Sequence, residues 1–291
     1  MSSFLSQSRS PLLYLQAKIV ILYMKISIIT VSFNSDKTIR QTIESVLAQD
    51  YDDLEYIVID GASKDGTVEI LKSFGNKIKF ISEPDKGIYD ALNKGVKMAT
   101  GEVVGTIGGD DFYPNSQVIS HVAKTFAEAQ TDAVYGDKQY VNLGKDETVV
   151  RYWRSGEYVR ANWLKGWMPP HLSFYLKKSA FEQFGYYITD FTCSGDYELM
   201  LRMLYKNNLT AKYLPEVVMT MRNGGTSTAS WKHRYRANME DRRAWAINNL
   251  KPRWYTLWMK PIAKIGQLFG LSAVGSRQSA VGSQQSADHN S

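Results

Sequence analysis

Short apolar segments alternate with helical segments from residue 25 to about residue 130. Four segments rich in valine and isoleucine are separated by stretches in which apolar residues recur at the three- and four-residue spacing of one helix face. The predicted strands are residues 25–33, 54–60, 77–82 and 103–107, and the predicted helices are residues 36–49, 68–74, 88–99 and 115–129. Strands and helices that alternate at such short distances predict an α/β fold with a mostly parallel, Rossmann-like sheet flanked by helices.

The second half of the chain has a less regular pattern. Strands are predicted at residues 133–141, 148–153 and 213–221, and helices at residues 178–184 and after residue 196. An aromatic loop broken by prolines precedes the first of these helices and contains Trp163, Trp167 and His171. We expect the two tryptophans to pack within the protein rather than to stack on a ligand.

Shifts in composition divide the chain into four regions. A strand-first domain begins at Met24, and we expect residues 1–23 to be a poorly ordered extension outside the fold. The main domain covers residues 24–229. Basic residues and tryptophans interleave over residues 230–271, which predicts a helical extension. The polar repeat at residues 272–291 cannot bury enough apolar surface to become ordered.

Composition and charge narrow the class of protein. The chain has 291 residues and is 44% hydrophobic, enough for a large core. Its single cysteine, Cys193, allows no internal disulfide and fits a reducing compartment, so we expect a cytoplasmic protein. No segment reads as a membrane span, because charged and polar residues interrupt the most apolar region, residues 12–33. The net charge of +6 suits nucleic acid, an anionic membrane or a phosphorylated substrate.

Two adjacent aspartates, Asp110 and Asp111, follow the fourth predicted strand after two glycines. Parallel sheets bind their ligands at the carboxyl ends of the strands, where the polar residues after the other strands also gather. Adjacent carboxylates repel each other, and a hard divalent ion carrying a phosphorylated ligand would offset that repulsion. The alternative is an ordinary turn in which Asp111 caps the next helix. The convergence of polar residues at one sheet edge favours a site.

Four stretches in this order resemble the family 2 glycosyltransferases with a GT-A fold, especially the bacterial members that build polysaccharides. They are IITVSFN, IDGASKDGT, SEPDKGIYDALNKG with GEVVGTIGGDDFYP, and CSGDYELMLR. The resemblance covers residues 25–227 and implies a nucleotide-binding half, residues 24–130, and an acceptor half, residues 131–229. It implies an inverting, metal-dependent enzyme that moves a sugar from a nucleotide sugar to a saccharide or lipid-linked saccharide, in cell-surface polysaccharide biosynthesis.

The resemblance also implies a role for individual residues. Those expected to contact the nucleotide sugar are Ser32, Asn34, Asp60, Asp65, Asp85, Lys86 and Asp110. Within this set Asp60 would hold the base or ribose, and Lys86 would border the diphosphate. Asp111 would bind the Mg²⁺ or Mn²⁺ that bridges the diphosphate. Many relatives carry a second aspartate where this chain has Gly61, so the resemblance does not identify the nucleobase.

The acceptor side is expected around Asp196, which matches the general base of the family. The alternative is that Asp196 caps a helix beginning at Tyr197. His171 would contact the acceptor or cap a turn. Arg222 with Gly224 and Gly225 would contact acceptor or phosphate, or the glycines would be a flexible connection. A protein that binds nucleotide sugar without turnover is a further alternative, as is a nucleotidyltransferase, which would need a glycine-rich phosphate loop that IITVSFN lacks.

The basic aromatic extension admits three interpretations. The three alternatives are a helix packed on the main domain, a nucleic-acid surface and a membrane-interface segment. Tryptophans beside lysines and arginines, without a spanning segment, favour the membrane interface. We therefore expect an anionic membrane surface rather than nucleic acid as a partner, with the protein peripheral on the inner face of the cell membrane.

Overall fold

A computed structural model describes residues 24–142, 148–223 and 231–263, without the side chains of residues 231–234 and 261–263. The expectations for residues 1–23 and 272–291 lie outside these described ranges, as do those for Gly224 and Gly225.

The described residues form eight strands and eight α-helices. The strands are β1 Ile26–Ser32, β2 Leu54–Asp60, β3 Lys79–Ser82, β4 Val103–Gly108, β5 Ala133–Asn142, β6 Val149–Trp153, β7 Phe174–Lys177 and β8 Ala211–Asn223. The helices are α1 Ile39–Leu47, α2 Thr67–Ser73, α3 Ile88–Met98, α4 Val118–Ala129, α5 Lys178–Phe184, α6 Gly195–Met200, α7 Trp231–Ile247 and α8 Thr256–Ala263. Helix α6 continues directly into a π-helical segment, Leu201–Lys206.

All eight strands belong to one sheet with the order β3-β2-β1-β4-β7-β5-β6, and β8 pairs with β5. Strands β1 to β4 are parallel, and β8 is parallel to β5. Among the described strands, β6 and β7 run in the direction opposite to the other six. The predicted α/β fold with a mostly parallel sheet and flanking helices is confirmed.

Strand β7 is the element that the sequence pattern does not predict. It has four residues, and its three consecutive apolar residues are too few to distinguish a strand from the end of the aromatic loop before it. It pairs antiparallel with both β4 and β5 and so joins the two halves of the sheet. Because His171–Ser173 leads directly into β7, this pairing places His171 beside β4.

The core has two layers, one on each face of the sheet. Neighbouring residues of β1 face opposite sides, so that Ile28 and Ile29 belong to different apolar clusters. Helices α1, α2 and α4 cover the Ile28 face, and α3, α5 and α6 cover the Ile29 face.

The basic extension packs on the Ile29 face through helices α7 and α8. Ala244 and Trp245 of α7 and Leu257 of α8 are buried in the same cluster as Ile29. On the outer side, Trp254 and Trp258 are 87% and 66% exposed. The described part of the extension therefore combines an inner face packed on the main domain with exposed tryptophans. No helix in the described ranges is long and apolar enough to cross a bilayer.

Candidate active site

Asp60 lies where the parallel strands end and fixes the loop that follows it. It is the last residue of β2 and lies opposite Ser32 of β1 and Ser82 of β3 in the sheet register. Its buried carboxylate accepts hydrogen bonds from the Ser32 hydroxyl (3.2 Å) and the Ser82 hydroxyl (2.7 Å). It also accepts hydrogen bonds from the Ser63 backbone N–H (3.0 Å) and the Ser63 hydroxyl (2.5 Å). Both carboxylate oxygens thus hold the start of the loop after β2.

The loops after β1 and β2 are joined through Asn34 and Asp65. Asn34 has a positive φ of 50°, a conformation that asparagine tolerates better than most residues. Its Oδ1 accepts a hydrogen bond from the Lys64 N–H (2.9 Å), and its own N–H donates to the Ser63 hydroxyl (2.8 Å). The Asp65 carboxylate accepts from the Asp36 N–H (3.1 Å). The structure therefore brings Ser32, Asn34, Asp60 and Asp65 together, and their contact with a nucleotide sugar stays a prediction.

A cleft of about 360 Å³ opens between these loops and the start of α3. It is lined by Val31, Ser32, Phe33, Gly61, Asp85, Gly87, Ile88 and Ala91. Its side chains are mostly apolar, and Phe33 and Ile88 are exposed despite their size. An apolar cleft with few polar groups is typical of a small-molecule site.

Lys94, rather than Lys86, provides the positive charge beside Asp85. The Lys94 Nζ lies 2.6 Å from Asp85 Oδ1 and 2.8 Å from a Glu83 oxygen. Hydrogen bonds to Asp85 and Glu83 raise the pKa of Lys94, so that it stays charged. The Lys86 side chain is exposed, and its backbone N–H donates to Asp90 (3.0 Å).

Asp110 and Asp111 form a tight turn at the end of β4. The Asp111 N–H donates to the Gly108 carbonyl (3.1 Å), and the Thr42 hydroxyl donates to the Asp111 carbonyl (2.6 Å). A Cβ on Gly108 would lie 2.6 Å from Asp111 Oδ2, so close approach requires a glycine at residue 108. Helix α4 begins at Val118, which shows that Asp111 does not cap it.

The Asp111 carboxylate is buried without full hydrogen bonding. The residue is 1% exposed, and its Oδ1 has no hydrogen-bond partner within the described residues. Burial, and then the neighbouring charge of Asp110, raise the pKa of Asp111 to about 7, although Lys138 opposes the shift. Lys138 is itself fully buried, and its Nζ lies 5.0 Å from the ring centroids of Tyr140 and Trp153.

These properties of Asp111 fit a divalent cation. In the described part of the chain, no group of three or more His, Cys, Asp or Glu side chains could hold a metal by itself. Mg²⁺ is commonly held by one or two carboxylates, with phosphate oxygens and water completing its shell. A single buried carboxylate with an unpartnered oxygen is suited to that arrangement, and the nucleotide would supply the phosphate.

Arg222 lies next to the aspartate turn and holds its main chain. Its Nη1 donates to the Asp110 carbonyl (2.5 Å), its Nη2 donates to Gln41 Oε1, and its guanidinium stacks on the Phe112 ring at 4.8 Å. Phe112 and Thr220 exchange backbone hydrogen bonds of 3.0 and 2.9 Å. Strand β8 therefore supports the turn, and the predicted contact of Arg222 with acceptor or phosphate stays a prediction.

Asp196 lies in the first turn of α6 beside His171 and Tyr89. Its side chain is 23% exposed, and its Oδ2 lies 3.4 Å from His171 Nδ1. The Tyr89 hydroxyl donates to its Oδ1 (3.3 Å). Ser194 occupies the capping position of α6, so Asp196 is not the cap. A Cβ on Gly195 would lie 2.7 Å from the Tyr89 ring, which explains why a glycine precedes Asp196.

Asp196 has aromatic neighbours that stay protonated. Tyr187 stacks on Tyr89 with ring centroids 5.7 Å apart. Burial, together with the charge of Asp196, raises the pKa of both tyrosines.

Asp196 and His171 also line a small cavity of about 10 Å³ with Thr106 of β4. Since Asp110 follows Thr106 by four residues, the chain can separate them by at most about 14 Å. Asp196 therefore lies near the strand that ends in the aspartate turn.

Several residues of the site were not predicted. Tyr89 lies in a motif that carried the resemblance, and its position at the start of a helix is the signal that could have marked it. Lys138 and Tyr187 carry no comparable signal, because their strand and loop have no distinctive motif. The prediction that Trp163 and Trp167 pack is confirmed: Trp163 is fully buried, and Trp167 Nε1 donates to the Ser155 carbonyl (2.8 Å).

The sheet is mostly parallel, with an aspartate turn at the end of β4 and a second carboxylate, Asp196, near the same strand, and its fold is of the GT-A type. The sequence pattern of the family described as Glycosyl transferase family 2 matches residues 27–209. The chain therefore belongs to glycosyltransferase family 2, as the sequence motifs predicted.

Relatives of known sequence and structure agree with this assignment. A PGL/p-HBAD biosynthesis glycosyltransferase of Mycobacterium tuberculosis is 26% identical over 204 residues, which are 68% of this chain and 77% of the relative. S. aureus TarS 1–349 in complex with UDP-GlcNAc superimposes with a TM-score of 0.63 at 17% identity, covering 84% of this chain and 73% of that one. The mannosyltransferase PcManGT of Pyrobaculum calidifontis, in complex with GDP-Man and Mn²⁺, has a TM-score of 0.59 at 18% identity, covering 95% and 87%.

Proposed function

We propose that this glycosyltransferase moves a sugar, with inversion, from a nucleotide sugar to a hydroxyl of a saccharide or lipid-linked saccharide in cell-surface polysaccharide biosynthesis. The observation that carries the proposal is the presence of two different carboxylates near one sheet edge. Asp111 is buried and its Oδ1 has no hydrogen-bond partner among the described residues, and Asp196 is partly exposed between His171 and Tyr89. TarS with UDP-GlcNAc and PcManGT with GDP-Man support a nucleotide-sugar donor.

The nucleotide binds at the ends of β1, β2 and β4 in this proposal. Its base enters the cleft beside Phe33 and Ile88, where apolar side chains can cover a flat ring. Ser32, Asn34, Asp60 and Asp65 form the floor and wall on the base and ribose side. Asp85, Lys86 and Asp110 border the ribose and diphosphate. Because Lys94 already neutralises Asp85, the exposed Lys86 side chain is available to a phosphate.

Asp111 would hold Mg²⁺ or Mn²⁺, and such an ion would offset negative charge on the departing diphosphate. The Mn²⁺ in the PcManGT complex supports this role. Arg222 and Thr42 bind the main-chain carbonyls of the turn and so fix the backbone that carries the Asp111 side chain.

Asp196 takes the proton of the acceptor hydroxyl. An alcohol is a weak nucleophile until a base removes its proton, and a carboxylate within hydrogen-bond reach can do so. Tyr89 and His171 orient the carboxylate from two sides. One base is enough for direct displacement at the anomeric carbon, which inverts it, whereas a covalent glycosyl intermediate needs a further carboxylate at the sugar.

The decisive experiment compares Asp196→Asn with Glu182→Gln, a change at an exposed carboxylate of α5. We expect Asp196→Asn to lower metal-dependent transfer by roughly a hundred- to ten-thousandfold, because the amide cannot accept the proton. Binding of a nucleoside diphosphate, measured by calorimetry with Mn²⁺, should be unchanged. Glu182→Gln should retain full activity. A parallel loss of nucleotide affinity and rate in Asp196→Asn would contradict the role of Asp196 as the base. If the wild type binds nucleotide sugars from a donor panel but turns none of them over, the proposed transferase activity is wrong.

We further propose that the protein is cytoplasmic and binds the inner face of the membrane through the outer side of α7 and α8. Trp254 is 87% exposed and Trp258 is 66% exposed, next to the exposed residues Lys251 and Arg253. Tryptophan rings and cations on one surface suit the headgroup region of an anionic bilayer. A lipid-linked acceptor would lie at the same interface.

A further inference from the structure

Helix α7 contacts the segment that precedes Asp196 through Glu240. The Glu240 carboxylate accepts hydrogen bonds from three consecutive backbone N–H groups. They are those of Thr192 (3.0 Å), Cys193 (2.7 Å) and Ser194 (2.9 Å). Ser194 is the residue immediately before α6, and Asp196 is the second residue of that helix. One side chain of the C-terminal extension thus holds the chain as it enters the helix that carries the proposed base.

Other residues of the same helix face reinforce this contact. The Ser194 hydroxyl donates to the Ala237 carbonyl (3.2 Å), one turn before Glu240. One turn after it, Arg243 forms an ion pair with Asp190, and its guanidinium lies 4.7 Å from the Phe191 ring centroid. The three-residue spacing of 237, 240 and 243 places these groups along one face of α7. Residues 190–194 are therefore held at successive turns of one helix.

The residue after Asp196 is held by the same extension. Trp245 Nε1 donates to the Tyr197 hydroxyl (2.8 Å), and the Lys260 Nζ lies 3.7 Å from the Tyr197 ring centroid. The family pattern ends at residue 209, so these contacts come from a part of the chain beyond the matched region. The backbone on both sides of Asp196 is thus attached to the extension.

We propose that Glu240 is a positioning residue that sets the placement of Asp196 relative to His171 and Tyr89. The inference rests on the proposed role of Asp196 as the base. Without the carboxylate, three neighbouring N–H groups lose a charged acceptor, which is stronger than a neutral one. Before α6 the loop then keeps the contacts of Ser194 with Ala237 and of Arg243 with Asp190 and Phe191, but no acceptor for its three consecutive N–H groups. A displacement of a reacting group by about 1 Å can cost roughly a hundredfold in rate.

The test compares Glu240→Gln and Glu240→Ala with Thr256→Val. The glutamine keeps one acceptor oxygen but presents an N–H₂ group to the backbone donors, so at least one N–H loses its partner. Thr256 is the first residue of α8 and is fully buried. Its hydroxyl donates to the Leu164 carbonyl (2.7 Å) and makes no hydrogen bond to residues 190–197 among the described residues, so its loss is a control for weaker docking of the extension.

We expect kcat to fall about tenfold in Glu240→Gln and about a hundredfold in Glu240→Ala, with the donor KM and the nucleoside diphosphate Kd changed less than about twofold. Thr256→Val should lower the melting temperature but keep kcat. Amide hydrogen exchange of residues 190–197 should become faster in both Glu240 variants and stay slow in Thr256→Val. If Glu240→Ala does not fold, Glu240→Gln decides.

Two results would overturn the proposal. One is a wild-type kcat in the Glu240 variants while Asp196→Asn is inactive, which leaves the proposed base intact and removes only the positioning role. The other is a loss of kcat, nucleotide affinity and melting temperature together, as for a structural residue. Full transfer by Asp196→Asn in the same assay would instead remove the base itself, and Glu240 would then have no base to position.

Discussion

The buried charge of Asp111 leads to a prediction about stability as well as activity. Asp111→Asn keeps the size of the side chain but removes a charge from a residue that is 1% exposed and whose Oδ1 has no hydrogen-bond partner among the described residues. A buried charge without full hydrogen bonding is destabilising, so the variant should be more stable than the wild type wherever the wild-type carboxylate is ionised. The same variant should be unable to hold the divalent ion. Stability and function are therefore expected to change in opposite directions.

The magnitude follows from the pKa of Asp111, which is raised from 3.8 to about 7. This difference corresponds to at most about 4 kcal/mol in the free energy of unfolding, at about 1.4 kcal/mol for each pH unit. The folded protein holds this proton more tightly than the unfolded chain does. The stability that protonation of Asp111 contributes is thus complete below about pH 4. It declines as the pH rises from 3.8 to about 7, and it is lost above about pH 7.

Urea unfolding of the wild type and Asp111→Asn, without divalent ions, at pH values from 5 to 8 measures this contribution. We expect the variant to be more stable by roughly 2 to 4 kcal/mol at pH 8, with a difference that shrinks toward pH 5. Asp52→Asn, a change at an exposed residue before β2, should have no such effect. Adding Mn²⁺ to a saturating nucleoside diphosphate should stabilise the wild type further and should add nothing to Asp111→Asn. A variant that is no more stable at pH 8, or that gains as much stability from the added Mn²⁺ as the wild type, would refute the reasoning.

Three further predictions concern the extension and the Asp196 turn. The double variant Trp254→Ala/Trp258→Ala should co-sediment less with anionic liposomes than the wild type does. Wild-type binding should weaken between 0.1 M and 1 M salt, because the Debye length falls from about 10 to about 3 Å. A wild type that does not bind such liposomes at low salt would contradict the membrane proposal. Truncation after residue 230 should lower the melting temperature strongly, since burial of a tryptophan such as Trp245 stabilises by about 3 to 5 kcal/mol; an unchanged melting temperature would show that the contacts of α7 and α8 are dispensable. Gly195→Ala should lower kcat, because its Cβ meets the Tyr89 ring at 2.7 Å. Gly75→Ala should lower stability but keep kcat, because Gly75 has a positive φ of 57° while its Cβ meets no described atom within 4 Å.

The sequence by itself determined most of the elements and one side of the site. Apolar segments of five to nine residues placed β1, β2 and β4 within two residues of their observed ends, because buried parallel strands leave a strong local pattern. Once the strands were known to be parallel, the positions of Asp60 and Asp111 at one edge followed, since parallel strands end on the same side. The motif CSGDYELMLR also pointed to Asp196 as the expected base, but nothing in the sequence predicted its 3.4 Å contact with His171.

Tertiary structure decided the contacts that depend on which side chains face each other. Strand β7 is formed by pairing with β4 and β5 rather than by a pattern of its own. Asp85 is neutralised by Lys94, nine residues later in helix α3, and not by the adjacent Lys86, because the turns of α3 bring Lys94 back beside Asp85. Glu240 reaches residues 192–194 across 46 to 48 positions of the chain, as a result of how α7 packs. Local periodicity reports burial along one element, but it carries no information about the partner that a polar side chain meets across a packed interface.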